Sequence, residues 1–202
     1  MFGASWLKGP SFRMHRLPTT VFLDRDGVIN RKMPSGSYVE SWEQFEFLPG
    51  AIDALRLLSR AGMRTVVVTN QRGVALGRMS IDAVQEIHRR MQGELAINRA
   101  ECAAVFVCPH EEGTCDCRKP GLGLFRQAQA LMPEIDFESS SVIGDSASDL
   151  IAGGRLGCEG YLVGDESRHA DLLAAYPNLR VACAAPTLFN VVTDCMGLHS
   201  ES

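Results

Sequence analysis

Short apolar runs rich in valine, isoleucine and threonine alternate along the chain with stretches whose apolar residues fall three or four positions apart. Residues 19–23 read as a first strand, apolar on both faces as a central parallel strand must be. Residues 51–60, entered through Pro49-Gly50, carry Ile52, Leu55 and Leu58 at helical spacing. A second strand over 65–68 follows. Ser80 then caps a helix to about 97, with Val84, Ile87, Met91 and Leu95 on one face. Beyond a third strand at 103–107 and a long loop at 108–120 come a helix at 122–131, a strand at 140–143, a helix at 147–156 and a strand at 161–163, with weaker elements to the end.

Strands separated by helices of this length predict a parallel sheet covered on both faces, a Rossmann-like three-layer α/β sandwich. No stretch is long enough for a separate cap domain. Ligands of such sheets sit at the carboxyl ends of the strands. Those ends carry Asp24, Thr69-Asn70 and Asp145.

Composition narrows the classes. The 202 residues, 46% hydrophobic and 22% charged, suit one α/β domain with a buried core. A net charge of −4 without a basic block argues against nucleic acid or anionic membrane as a partner. No run approaches the roughly 20 apolar residues a membrane span needs. Residues 1–16 hold Lys8, Arg13, His15 and Arg16 but no continuous apolar stretch, so they read as an N-terminal extension rather than a secretory signal, with Met14 a second candidate start. The folded domain is expected over 17–195, with a tail over 196–202. Seven cysteines, odd in number and uneven in spacing, predict a reduced cytoplasmic chain rather than a disulfide framework. A monomer is expected.

The candidate chemistry begins at Asp24-Arg25-Asp26-Gly27. Two carboxylates one residue apart at a strand end repel unless a cation or a proton intervenes, and a hard divalent ion such as Mg2+ fits. Asp145, in Gly144-Asp145-Ser146-Ala147-Ser148-Asp149, supplies a third acid. Such an acidic pair alone is equally the mark of a turn. A separate constellation, Cys108, His110, Cys115 and Cys117, places four soft ligands within ten residues, with Cys102 nearby. It reads as a closed structural Zn2+ site, or else as free thiols beside an exposed histidine. It ends at Arg118-Lys119-Pro120, so fixing the loop fixes Lys119.

In order, Asp-x-Asp-Gly, Val-Thr-Asn-Gln, Arg-Lys-Pro and Gly-Asp-x-x-x-Asp resemble the motifs of the haloacid dehalogenase superfamily, in its aspartate-nucleophile phosphatases. The resemblance implies that Asp24 attacks phosphorus and that Asp26 acts as general acid and base. It implies that Thr69 holds the phosphoryl group beside Asn70, that Lys119 offsets negative charge, and that Asp24, Asp26 and Asp145 hold Mg2+. Asp149 would orient Lys119 or support the metal shell. Asp26 must be protonated for the first step, so a second acid beside it is expected to raise its pKa. Arg25 is expected to point away from the acids and to take no catalytic role.

With the zinc loop, Asp-Arg-Asp-Gly-Val-Ile-Asn is similar to the branch of D-glycero-D-manno-heptose 1,7-bisphosphate phosphatases and histidinol-phosphatases. That implies removal of the 7-phosphate of the heptose bisphosphate, or hydrolysis of histidinol phosphate or another small sugar phosphate. A catalytically silent phospholigand-binding protein is the alternative of another class. Arg72 stands where the heptose enzymes usually have serine, Leu76 where they have arginine, and the zinc loop is shorter than is common there. A second substrate phosphate would call on Arg118 first, then Arg72 or Arg78.

Overall fold

The computed structural model describes residues 17–199. Six parallel strands, β1 (Thr20–Leu23), β2 (Arg64–Asn70), β3 (Ala104–Cys108), β4 (Ser140–Gly144), β5 (Glu159–Val163) and β6 (Cys183–Ala185), lie in the order β3-β2-β1-β4-β5-β6. Between them run α1 (Ala51–Arg60), α2 (Ile81–Ile97), α3 (Gly123–Leu131), α4 (Ala147–Leu156) and α5 (Glu166–Ala175). A short α6 (Leu188–Asn190) continues into a π-turn at Val191–Cys195.

Alternation along the strands sorts the core into two layers, because neighbouring side chains point to opposite faces. Val21, Leu23, Val67 and Ile143 face one cluster with Leu55 and Leu58 of α1, Ile87, Met91 and Leu95 of α2, and Leu188 and Val192. Phe22, Val66, Val68 and Val142 face the other, with Leu124, Phe125 and Ala128 of α3 and Ala152 of α4. The expected three-layer sandwich is therefore present.

Most predicted elements lie within a few residues of their observed bounds. The exceptions are short or weakly patterned: 3-10 turns at Trp42–Gln44 and Phe137–Ser139, and the α5–β6–α6 end of the chain. Met196 is buried and Leu198 packs on the first cluster, so the packed chain continues beyond 195. The expectation of a wholly reduced chain is corrected, because Cys183 of β6 and Cys195 of the π-turn form a disulfide, Cα to Cα 5.9 Å. Residues 183 and 195 are adjacent only through the fold, which the spacing of cysteines does not reveal. The expected extension at 1–16 lies outside the described residues.

The strand order reverses between β1 and β4, the usual place for a crevice at the carboxyl edge. A cleft of about 390 Å³ opens there, lined by the ends of β1, β2 and β4, the 32–39 loop and Arg118-Lys119.

Candidate active site

Asp24 follows β1 directly, and its main-chain amide donates to Ile143 O of β4. The chain then winds back: Arg25 O accepts from the amides of Val28, Ile29 and Asn30. Gly27 makes this turn at φ +90°, and a Cβ there would stand 2.4 Å from Asp145 Oδ2. Glycine is required both for the left-handed conformation and for the close approach. Asp145 leaves β4 in the same direction, and Asp149 returns from the first turn of α4.

Asp24, Asp145 and Asp149 each bring a carboxylate oxygen within 4.8 Å of the others. Lys119 answers part of this charge. Its Nζ lies 2.9 Å from Asp24 Oδ1 and 2.6 Å from Asp149 Oδ1, and donates to Val68 O at 2.6 Å. Burial lowers the lysine's pKa, but the charges of Asp149 and Asp24 outweigh it, so Lys119 is held above its ordinary value and stays cationic. Its main chain is clamped by Asn70, whose Oδ1 accepts from Lys119 N at 3.0 Å and whose Nδ2 donates to Lys119 O at 3.2 Å.

Burial, only partly opposed by Lys119 and reinforced by Asp149, Asp145 and Asp26, pushes the Asp24 carboxyl up to about 7. A divalent cation among these acids reverses that balance. Asp145 is set up for one. Its Oδ2 accepts from Lys32 at 2.7 Å and Arg168 at 2.9 Å, whereas its Oδ1 is buried without a hydrogen-bond partner. Hard oxygen donors of this kind fit Mg2+.

The Asp26 side chain lies outside that group. Oδ1 accepts from Arg25 Nη2 and Asn30 Nδ2, both at 2.9 Å, and Oδ2 from Gln71 Nε2 at 2.8 Å. Gln71 also donates to the buried Thr69 hydroxyl at 2.9 Å. Burial raises the Asp26 pKa, but the Arg25 charge and the three donors outweigh it and hold the carboxyl below its ordinary value. The expectation of a raised Asp26 is thereby corrected. Arg25 is also not turned away: it is fully buried, with one arm on Asp26 and the other on His88 Nε2 at 2.9 Å. The pattern of the sequence did not show the partners of Arg25, Gln71, His88, Lys32 or Arg168, which are set by close folding of distant or turning segments. A fully charged residue between two acids was the one available signal.

Cys108, His110, Cys115 and Cys117 converge, with Cys117 Sγ 3.3 Å from both other sulfurs and 3.2 Å from His110 Nδ1. Cys108 Sγ stands 3.6 Å from Cys115 Sγ and 3.7 Å from His110 Nδ1. Four soft ligands in contact around one point suit a tetrahedral Zn2+, whose bonds of about 2.0–2.3 Å set edges of this size. Cys108 and Cys117 are buried in the α3–α4 layer. Cys102 stands apart, its thiol donating to Ala104 O. Arg72 lines the cleft but is paired with Glu111 of the zinc loop at 2.5 Å. Arg118 also lines it, and its Nη1 is buried without a partner. Arg78 is not among the lining residues.

Comparison with known proteins bears on this geometry. Residues 116–189 match the HAD-hydrolase-like family model. The chain is 47% identical over 131 residues to the D-glycero-alpha-D-manno-heptose-1,7-bisphosphate 7-phosphatase of Mycobacterium tuberculosis, covering 64% of this chain and 68% of that one. It is 42% identical over 148 residues to the D-glycero-beta-D-manno-heptose-1,7-bisphosphate 7-phosphatase of Rhodopseudomonas palustris, covering 69% and 80%. Among solved structures, the D,D-heptose 1,7-bisphosphate phosphatase of B. bronchiseptica, complexed with magnesium and phosphate, superposes with a TM-score of 0.77 at 31% identity, over 88% of this chain and 98% of that one. Relatives this similar over most of their length lead to one conclusion: the chain belongs to the haloacid dehalogenase-like hydrolases, in the branch of the heptose bisphosphate phosphatases.

Proposed function

We propose that the protein is a Mg2+-dependent phosphatase that removes the 7-phosphate of D-glycero-D-manno-heptose 1,7-bisphosphate through a phosphorylated Asp24. The observation that carries the reading is the convergence of Asp24, Asp145 and Asp149 on one point, with Lys119 fixed beside them. Such a cluster is costly without a cation and useful only with an anionic reactant.

Mg2+ bound by Asp24 and Asp145 would neutralise the phosphoryl oxygens and weaken their repulsion of the attacking carboxylate. Both Asp26 oxygens already accept hydrogen bonds, so any share Asp26 takes in the ion falls to its main chain. Lys119 adds a fixed positive charge and Thr69 a hydroxyl at the end of β2. Asp24 attacks phosphorus while Asp26 gives its proton to the departing sugar oxygen; Asp26 then takes a proton from the water that cleaves the acylphosphate. Arg118, which lines the cleft and keeps one nitrogen without a partner, is assigned the second phosphate, with Arg72 also in the lining. Asn70 contributes by holding Lys119. Zn2+ on Cys108, His110, Cys115 and Cys117 would brace the loop that delivers Arg118 and Lys119. The small polar cleft supports a small sugar phosphate as the partner, and a net charge of −4 without a basic block speaks against nucleic acid; the proposed setting is a cytoplasmic monomer. No helix among the described residues is long and apolar enough to cross a membrane.

Phosphate release from the α- and β-anomers of the heptose bisphosphate, histidinol phosphate and fructose 1,6-bisphosphate tests the proposal. One heptose anomer is expected to lead, with release abolished by EDTA and restored by Mg2+. A preference for histidinol phosphate would reassign the substrate, and release indifferent to Mg2+ would overturn the chemistry.

Arg168 and Lys32 share Asp145 Oδ2 and leave Oδ1 as the oxygen that would meet an ion. Arg168→Ala is expected to weaken Mg2+ binding about tenfold, as loss of a ligand's supporting partner does. Calorimetric titration measures it. Arg168 is half-exposed and Lys32 stays on the buried Asp145 carboxylate, so the melting point in EDTA should hardly move.

A further inference from the structure

We infer that His88 is a positioning residue for the proton transfer from Asp26, acting through Arg25. The inference rests on the proposed role of Asp26 as the acid and adds the residues that determine how that acid is presented.

Arg25 has no exposed surface, although it borders the cleft's acids. Its Nη2 donates to Asp26 Oδ1 and its Nη1 meets His88 Nε2, each at 2.9 Å. A guanidinium has donors only. His88 Nε2 is therefore the bare, accepting nitrogen, and the ring proton sits on Nδ1. Burial, with the Arg25 charge, holds His88 down to about 3, so the ring stays neutral. His88 lies on the core face of α2 with Val84, Ile87 and Met91, a face that otherwise packs apolar groups against the sheet. A charged side chain sealed in such a layer is expensive unless every arm is held. Here Nη1 is held by the helix and Nη2 by the acid, while Nε is buried without a partner, so the guanidinium depends on both anchors.

The clamp distinguishes the two oxygens of Asp26. Oδ1 accepts from Arg25 and Asn30 together, while Oδ2 accepts from Gln71 alone, a neutral amide able to yield. Oδ2, with the weaker set of donors, is thus the oxygen left to exchange a proton once Gln71 yields. As the P–O ester bond breaks, its electron pair stays on the departing oxygen and the new bond forms from Asp24 to phosphorus. A proton that Oδ2 has taken from solvent passes to that oxygen, releasing an alcohol and returning Asp26 to the carboxylate. Without His88, Arg25 loses its second anchor, and the carboxyl is free to rotate away from this presentation.

The test uses leaving groups that differ in their need for a proton. First-turnover release is measured for phenyl phosphate and 4-nitrophenyl phosphate with Mg2+-loaded parent, His88→Leu, His88→Gln and Asp26→Asn enzymes. Phenolate leaves poorly unless protonated, and 4-nitrophenolate leaves readily without help. His88→Leu is expected to slow phenyl phosphate at least about tenfold more than 4-nitrophenyl phosphate, a fraction of the 10²–10⁴ that a general acid supplies. His88→Gln, whose amide oxygen can accept from Arg25, is expected to recover most of that difference. Should His88→Leu not fold, His88→Asn, polar but too short to reach Arg25, takes its place with the same outcomes. Equal slowing of both substrates would overturn the inference, since loss of structure alone does not sense the leaving group. If Asp26→Asn discriminates and the His88 variant does not, only the His88 inference fails. If Asp26→Asn does not discriminate, the assignment of the acid fails and the inference with it.

Discussion

Replacing Asp24 with asparagine will lower turnover of every phosphate ester by about 10⁴-fold or more, the scale on which loss of a nucleophile is felt, while the metal-free fold becomes no less stable. The second half of that result follows from charge. With no ion bound, the folded chain keeps the Asp24 proton up to about pH 7, against an ordinary value of 3.8. Between those values the folded state binds more protons than the unfolded one, so its stability falls as pH rises through the window. Asparagine carries no such charge. Lys119 retains Asp149 at 2.6 Å and Val68 O at 2.6 Å, so removal of Asp24 does not strand it. Melting curves from pH 4 to 8 in EDTA are expected to decline less for the variant. The rise in melting point that Mg2+ gives the parent is expected to shrink in the variant, which has lost one of the ion's carboxylates. A variant that melts well below the parent at pH 7 would show that Asp24 supports the fold as well as the reaction.

The second large effect is expected at Cys117. Its sulfur lies within 3.3 Å of the other three members of the cluster and it is buried against α3. Cys117→Ser should bring bound Zn2+ from about one per chain to nearly none, lower the melting point, and reduce turnover at least about tenfold, because a site of this kind contributes folding energy directly. The loss of turnover should appear in kcat, since Lys119 lies two residues on and its position depends on the loop. Metal analysis of the purified protein and its variant, with kinetics at saturating Mg2+, measures both. A parent free of zinc and a variant of equal activity would remove the proposed zinc site.

Much of the fold was legible because its signals are local. Val66, Val67 and Val68 are consecutive and apolar because both sheet faces are covered, and Ser80 caps α2, accepting from Ala83 N, as its position before the helix suggests. The acids at 24, 26 and 145 announced themselves by standing after such strands. What stayed hidden depends on packing between distant segments. Arg25 takes meaning only from His88, sixty-three residues on, and Asp145 from Lys32 and Arg168. The pKa of Asp26 was misjudged for the same reason. The sequence displays its acidic neighbour; of the three donors that outweigh it, Arg25 and Asn30 reach Asp26 through the winding of the turn after β1, and Gln71 only when β2 lies beside β1. Helix α5 and strand β6 carry few buried apolar residues, so periodicity had little to register there.

Strand β1 is only four residues long, yet it is hydrogen-bonded on both sides and sealed above and below. Its amides can meet solvent only when the whole sheet comes apart, which makes Asp24 the least movable point of the cleft. The 34–38 rim opposite, glycine-bearing and exposed, has no such restraint. The protein is therefore stiff where bonds change and compliant where the remainder of the sugar is met, so a change of preferred sugar can arise in the rim without disturbing the reacting centre.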